Sequence, residues 1–249
     1  MSEKKIVALV LSGGKGLRLG EAIPKQYINV GNKMIITYCM ETLVNHNKID
    51  DIIIVANDEW QAAIVDNMSR AGISDDKLVG FAEPGVNRQE SILNGLKHAM
   101  NYYGLNDEYE SKCIDGTFYV LVHDAARPCL TEKQISQMIE ASDSNDVDGV
   151  MPALPMKDTV YVSNDGNVID GLCDRAKLFA GQAPELFELH KYYNANMSLS
   201  QDELYKINGS AEPAYMAGMN IRIITGDENN YKITTKQDLD RFRAEIEKR

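Results

Sequence analysis

An unbroken apolar run, Ile6 to Leu11, ends abruptly in Ser12-Gly13-Gly14-Lys15-Gly16, and this junction constrains the fold more than any other stretch. The run is short, rich in β-branched residues and free of polar alternation, the pattern of a strand buried on both faces inside a parallel sheet. Glycines after such a strand permit positive φ and let backbone N–H groups approach a ligand that a Cβ would hold off. Arg18 and Lys25 place a planar fork and a point charge within reach, so Ser12, Gly13, Gly14, Lys15 and Gly16 read as a loop for a phosphate chain. A plain tight turn is the competing reading, because the spacing matches neither the dinucleotide fingerprint nor the P-loop, and a lysine after Pro24 is by default a solvated surface residue. The coincidence of loop and cations behind a buried strand favours phosphate.

The same signal recurs along the chain. Ile52 to Ala56, Leu78 to Phe81, Phe118 to Val122, Gly149 to Ala153 and Ile221 to Ile224 read as strands. Helical spacing appears over Met34 to Val44, Glu59 to Arg70, Arg88 to Met100, Ile135 to Ala141, Leu186 to Asn194 and Lys236 to Lys248. Trp60, Ile64 and Met68 form one stripe, read as core packing rather than a base-stacking platform. This alternation predicts one α/β domain over residues 1–249, Rossmann-like, with a mostly parallel sheet and flanking helices. The alternation breaks between about 154 and 171, where Thr159 to Val162 and Asn167 to Ile169 flank Asn164-Asp165-Gly166. That is a hairpin signal, and it predicts a protruding β-arm offering a surface to a second subunit. Gly104 to Gly116 is polar and acidic, an expected exposed connection.

The net charge of −11 over 249 residues, with a pI near 4.9, argues against nucleic acid and anionic membranes as partners. Any phosphate must therefore meet a local basic cluster. Cys39, Cys113, Cys129 and Cys173 are scattered without a paired spacing, so buried free thiols are expected rather than zinc or disulfides. No apolar signal-peptide core and no run near the roughly 20 apolar residues of a membrane span is present, which predicts a cytoplasmic protein.

Ligands of open α/β sheets bind beyond the carboxyl ends of the strands, and there the third long strand runs into His123-Asp124-Ala125-Ala126-Arg127-Pro128. Asp124 is placed to hold a metal ion or to cap the following turn. Arg127 is placed to meet a phosphate or a surface carboxylate. His123 reads as an orienting or packed residue, and nothing nearby resembles an activated nucleophile.

Gly14-Lys15-Gly16 with Arg18, Pro24-Lys25-Gln26-Tyr27, Arg88-Gln89-Glu90-Ser91, the His123 to Pro128 block, Asp158-Thr159 and Tyr231-Lys232-Ile233-Thr234-Thr235 fall in one order along nearly the whole chain. In that order the chain resembles the cytidylyltransferases of sugar-alcohol phosphates, the family of the 2-C-methyl-D-erythritol 4-phosphate and ribitol-5-phosphate enzymes. The resemblance implies transfer of CMP from CTP to a polyol phosphate with release of pyrophosphate, on Mg²⁺, in a homodimer that exchanges its β-arms. It further implies that Arg18, Lys25 and Lys232 serve the triphosphate, that Asp124 holds the metal, and that Ser91 with the Gly85 loop recognises cytosine. Arg127, Thr159 and Arg175 would face the acceptor, Arg175 from across the dimer. Catalysis by positioning and charge stabilisation suits this chemistry, since a phosphate is already a competent nucleophile.

Two segments depart from the family pattern. Ala183-Pro184-Glu185 stands where the erythritol enzymes carry Thr-Pro-Gln, and Asn208-Gly209-Ser210 where both branches carry Thr-Asp-Asp or Thr-Asp-Glu. The His123 to Pro128 block, the spacing from Gly16 to Pro24 and the Ser91 helix lean toward methylerythritol phosphate, which is the first expectation for the acceptor. Arg175 to Gln182 and Ser198-Leu199-Ser200 lean toward ribitol 5-phosphate, the alternative. Outside this class stand a sugar nucleotidyltransferase using UTP or GTP and a non-catalytic nucleotide-binding protein. Retention of Arg18, Lys25, Asp124 and Lys232 together speaks against the last.

Overall fold

A computed structural model describes residues 4–14, 23–105, 117–144 and 146–248. The first strand, β1 (Lys4–Leu11), is followed by a 3₁₀ turn at Lys25–Tyr27, a small hairpin of β2 (Asn29–Val30) and β3 (Lys33–Met34), and helix α1 (Ile35–Asn45). Then come β4 (Asp51–Val55), α2 (Asp58–Arg70), β5 (Leu78–Ala82), α3 (Arg88–Tyr103), β6 (Thr117–Asp124), α4 (Glu132–Ala141) and β7 (Gly149–Pro155). An arm carries β8 (Tyr161–Val162) and β9 (Gly171–Leu172), after which β10 (Phe179–Gly181), β11 (Glu185–Glu188), α5 (Leu189–Met197), α6 (Gln201–Lys206), α7 (Ala211–Met216), β12 (Ile221–Thr225) and α8 (Lys236–Ile246) complete the chain.

The main sheet runs β10-β7-β11-β6-β1-β4-β5, with β12 also paired to β7. β6, β1, β4 and β5 are mutually parallel, and β12 is parallel to β7, whereas β10 and β11 are antiparallel insertions. The expected α/β, mostly parallel sheet with flanking helices is therefore present. β1 explains why its sequence lacks alternation: Ile6, Ala8 and Val10 pack into the layer with α1, α2 and α4, while Val7 and Leu9 pack into the layer with α3 and α5. Gly95 in α3 lets that helix lie directly on β1, since a Cβ there would stand 2.2 Å from Leu9 Cδ1. Trp60 stacks on Tyr27 with ring centroids 4.3 Å apart and packs against the core, as its stripe predicts.

Several elements differ from expectation. Leu186 to Asn194 is not one helix: its opening residues belong to β11, inserted between β6 and β7, and helix α5 starts at Leu189. Asn167 to Ile169 is not the second strand of the arm, because β8 pairs with Gly171–Leu172 instead. The Asp165 carboxylate accepts from the Asn167 and Val168 N–H groups at 2.8 and 3.1 Å, so the turn is wider than the Asn-Asp-Gly signal suggests. Cys39, Cys129 and Cys173 form no disulfide among the described residues, but only Cys39 is fully buried, and Cys113 lies outside the described residues. No described helix is long and apolar enough to cross a membrane.

Candidate active site

The carboxyl ends of β1 and β6 and the start of α3 enclose a cleft of 610 Å³. Three side chains lock its first wall from beneath. Gln26 Nε2 donates to the carbonyls of Ser12 and Gly14 at 2.6 and 2.7 Å, and the buried Ser12 and Tyr27 hydroxyls are 2.9 Å apart. Gln26 is a site residue that sequence reasoning misses, and its one signal is membership of the Pro24-Lys25-Gln26-Tyr27 block. Neither Gly13 nor Gly14 adopts positive φ. At Gly13 the glycine is required by close approach, since a Cβ would meet Pro84 Cβ at 2.4 Å, whereas at Gly14 a Cβ would meet nothing within 4 Å among the described residues. Lys25 lines the same cleft. Lys15, Gly16 and Arg18 lie outside the described residues.

The second wall is the start of α3. The Asn87 side chain caps the helix by accepting from Glu90 N–H at 2.8 Å. Ser91 Oγ donates to the Asn87 carbonyl at 2.8 Å and accepts from Gly85 N–H at 3.0 Å, so the Gly85 loop and the Ser91 hydroxyl are tied together on the cleft. Gly85 has no room for a Cβ, which would stand 2.4 Å from Glu90 Cβ.

Asp124 forms the floor, at the end of β6. It is buried, with Arg88 Nη2 at 3.0 Å from Oδ1, Lys232 Nζ at 2.9 Å from Oδ2 and Arg127 Nε at 3.6 Å. Burial alone would raise its pKa; the Arg88, Lys232 and Arg127 charges overcome this and hold the carboxyl well below the usual aspartate range. Arg127 also donates Nη1 to the Asn230 carbonyl at 2.7 Å, and its side chain is largely buried. His123 is buried, its Nε2 3.0 Å from the Arg127 carbonyl, and burial pushes its pKa down to about 4. Such a neutral imidazole buttresses the turn, matching the packed role expected of it. Among the described residues no group of three or more His, Cys, Asp or Glu side chains is arranged to hold a metal ion.

Of the residues that the sequence points to, Gly13, Gly14, Lys25, Gly85, Ser91, Asp124 and Lys232 are gathered on this one cleft. Ser12 lies buried just behind it. Thr159 and Arg175 do not line the cleft of their own chain: both are exposed on the arm, where Arg175 Nη1 donates to the Lys157 carbonyl at 2.7 Å. Two residues of the Asp124 network escape the sequence reading as site residues. Arg88 stands out in sequence only as the opening residue of the Arg88-Gln89-Glu90-Ser91 block, and Glu185 only as a departure. Glu185 is buried at the start of β11, and burial pushes its carboxyl up to about 7 against the pull of the Ser210 hydroxyl and Arg88.

The family model of 2-C-methyl-D-erythritol 4-phosphate cytidylyltransferase matches residues 6–248. A curated relative, the ribitol-5-phosphate cytidylyltransferase of Lactiplantibacillus plantarum, is 29% identical over 246 residues, covering 98% of this chain and 99% of the relative. Among solved structures, the 4-diphosphocytidyl-2C-methyl-D-erythritol synthase of Anaerococcus prevotii superposes with a TM-score of 0.76 at 23% identity, covering 98% of this chain and 97% of its own. The 2-C-methyl-D-erythritol 4-phosphate cytidylyltransferase of Francisella tularensis gives 0.74 at 24%, covering 96% and 99%. These two likenesses speak for the fold, and the family match over nearly the whole chain speaks for the lineage. With its glycine loop, α3 cap and Asp124 floor assembled on one cleft, the chain belongs to the 2-C-methyl-D-erythritol 4-phosphate cytidylyltransferase family.

Proposed function

We propose that this cytidylyltransferase uses ribitol 5-phosphate as its acceptor, giving CDP-ribitol and pyrophosphate from CTP. The observation that carries the choice is the ribitol-5-phosphate cytidylyltransferase of Lactiplantibacillus plantarum, to which this chain is similar over nearly the whole length of both. The buried methyl of Ala183 supports it by supplying no hydroxyl where the erythritol enzymes carry threonine. Methylerythritol phosphate, the first expectation from sequence, is the second reading, favoured by the family match.

In this reading an acceptor phosphate oxygen attacks the α-phosphorus of CTP while the bond from that phosphorus to the bridging oxygen breaks and pyrophosphate leaves. Lys25 and Lys232 meet the charge that accumulates on the α-phosphate and the leaving group, with Arg18 assigned the same role by resemblance alone. Gly13 and Gly14 give the triphosphate close access to backbone, and the Gly85–Ser91 pair, whose N–H and hydroxyl proton are already used within the loop, presents acceptor oxygens to the cytosine amino group. Arg127 supports the Asp124 floor on the acceptor side. Asp124, kept ionised by its cations, is a hard oxygen ligand of the kind Mg²⁺ takes, and the remaining ligands would be triphosphate oxygens and water. Bound there, Mg²⁺ would neutralise phosphate charge and align the leaving group.

The arm supports a homodimer. Tyr161, Val168, Ile169 and Leu172 are all more than half exposed in the single chain. A two-stranded hairpin is marginal in water by itself, so these side chains call for cover from a second copy, which would carry Thr159 and Arg175 toward the acceptor of the other subunit. The test is pyrophosphate release with CTP, UTP and GTP against ribitol, methylerythritol, erythritol and glycerol phosphates. Highest kcat/KM with CTP and ribitol 5-phosphate is the expected result; preference for methylerythritol phosphate would install the second reading, and preference for UTP or GTP would refute both.

A further inference from the structure

The glycine loop after β1 is shaped by a buried amide and not by left-handed turns, since neither Gly13 nor Gly14 has positive φ. Gln26 is 3% exposed, and its Nε2 donates to the Ser12 carbonyl at 2.6 Å and to the Gly14 carbonyl at 2.7 Å. A side-chain amide nitrogen has two protons, so both are used on the loop. The flipped amide would set its oxygen against two carbonyl oxygens, which fixes the orientation on chemical grounds. The Ser12 carbonyl also accepts from the Tyr27 hydroxyl at 2.9 Å, and Tyr27 is itself held by the stacked Trp60 ring. The 3₁₀ turn at Lys25–Tyr27 therefore grips the loop from behind with Gln26 and Tyr27, while Lys25 lines the cleft.

Peptide planarity turns this grip into a direction. The Ser12–Gly13 peptide is trans, and in a trans peptide the C=O and N–H point to opposite sides. A Ser12 carbonyl drawn toward Gln26 and Tyr27 therefore sends the Gly13 N–H the other way. Gly13 lines the cleft, and its N–H meets no backbone acceptor among the described residues. The missing Cβ at Gly13 lets Pro84 close on the loop, so the plane is held by contact on one side and by the amide on the other. We propose that Gln26 is a positioning residue of the nucleotide site, its two hydrogen bonds holding the Ser12–Gly13 peptide so that the Gly13 N–H donates to a phosphate oxygen of the nucleotide. Gln26 itself touches no reacting atom. A side chain that only filled space would need the volume of Gln26, whereas two short contacts to carbonyls make use of its protons. A donor aimed in advance meets the phosphate charge without rearrangement.

The inference rests on this cleft being the CTP site, and its test keeps the two apart. CTP and inorganic tripolyphosphate are titrated calorimetrically into the parent, Gln26→Met and Gln26→Glu, with thermal unfolding of each recorded without ligand. Gln26→Met keeps the length and removes both protons, and it should weaken CTP and tripolyphosphate alike, by about ten-fold, the weight of a charge-assisted contact. Gln26→Glu supplies one donor when its carboxyl is neutral and none when it is ionised, and burial beside two carbonyls should place that titration between about pH 5.5 and 8.5. Its tripolyphosphate affinity divided by that of Gln26→Met should then fall by about ten-fold or more as pH rises across that range, the ionisation of the ligand cancelling in the ratio. Affinities in Gln26→Met within about two-fold of the parent, a loss confined to CTP, or a ratio independent of pH would overturn the role of Gln26 while leaving CTP bound to the parent. A parent that binds neither ligand would refute the nucleotide reading, and the inference with it. If neither variant folds, the Gly13 amide resonance of the parent serves: it should move downfield on addition of tripolyphosphate, and an unmoved resonance would overturn the proposal.

Discussion

At the end of β6 the chain meets its charges with its own residues, whereas between β7 and β10 it leaves apolar side chains in water. Asp124 is flanked by Arg88, Lys232 and Arg127, and Arg127 is held in turn by the Asn230 carbonyl. The arm has two strands of two residues each, and Ile169 and Leu172 remain 63% and 67% exposed. The difference separates two kinds of functional residue. Those on the cleft are positioned by the fold of one chain. Thr159 and Arg175, on the arm, lie off the cleft of their own chain, and in the proposed function a second chain would bring a cleft to them.

Asp124→Asn attacks the self-contained region and should have the largest effect. It removes the charge that the three cations share without changing volume, and turnover should fall by about a hundred-fold or more. Steady-state pyrophosphate release across a Mg²⁺ titration, with thermal unfolding alongside, checks this. A variant as active as the parent at every Mg²⁺ concentration would remove Asp124 from the metal role. Arg175→Ala attacks the other region. It should raise the KM for the polyol phosphate by roughly ten- to a hundred-fold, the weight of a charge-assisted contact, with the KM for CTP nearly unchanged. Matching increases in both constants would place Arg175 on the nucleotide instead.

Leu172→Asp sharpens the contrast at the level of assembly. A carboxylate within an apolar contact should weaken the dimer by about ten-fold or more, measured by sedimentation equilibrium. The melting temperature of the separated chain should barely move, because Leu172 is already exposed there. The smallest effect is one of pH. Glu185 holds its proton up to about 7, above the ordinary glutamate value, so between those two pH values the folded chain binds more protons than the unfolded one. Stability must then fall as pH rises through that window, by roughly 3 kcal/mol at most. Asp124 behaves oppositely, and its contribution is present throughout that window and lost only in stronger acid. The melting temperature of the parent minus that of Glu185→Gln should therefore drop by a few degrees from pH 5 to pH 7.5. A difference independent of pH would show that Glu185 titrates normally.

What can be read from the sequence tracks how local the physical cause is. β1 and β6 are legible because burial on both faces removes alternation, and Asp124 is legible because it follows such a strand. β11 is not, since Leu186, Leu189 and Tyr192 keep apolar spacing across a strand-to-helix junction, and only pairing to Val122 through Tyr119 in β6 makes Glu185–Glu188 extended. The arm's turn is recognisable but its register is not, because the Asp165 and Asp170 carboxylates bind backbone N–H groups inside the turn and delay pairing until Gly171. Glu185 is visible only as an oddity. Ser210, which accepts from Arg88, is contributed by a loop before α7, and no local pattern joins those two positions.

Mixing Lys25→Ala with Arg175→Ala subunits tests most directly whether a cleft of one chain works with the arm of another. Each variant alone should be poorly active at limiting polyol phosphate. After subunit exchange, half of the dimers carry both variants, and each of these has one site with neither defect, so about a quarter of the parent activity should return. No recovery, with heterodimers verified by native mass spectrometry, would contradict the exchange of arms and place Arg175 within its own subunit or outside the reaction.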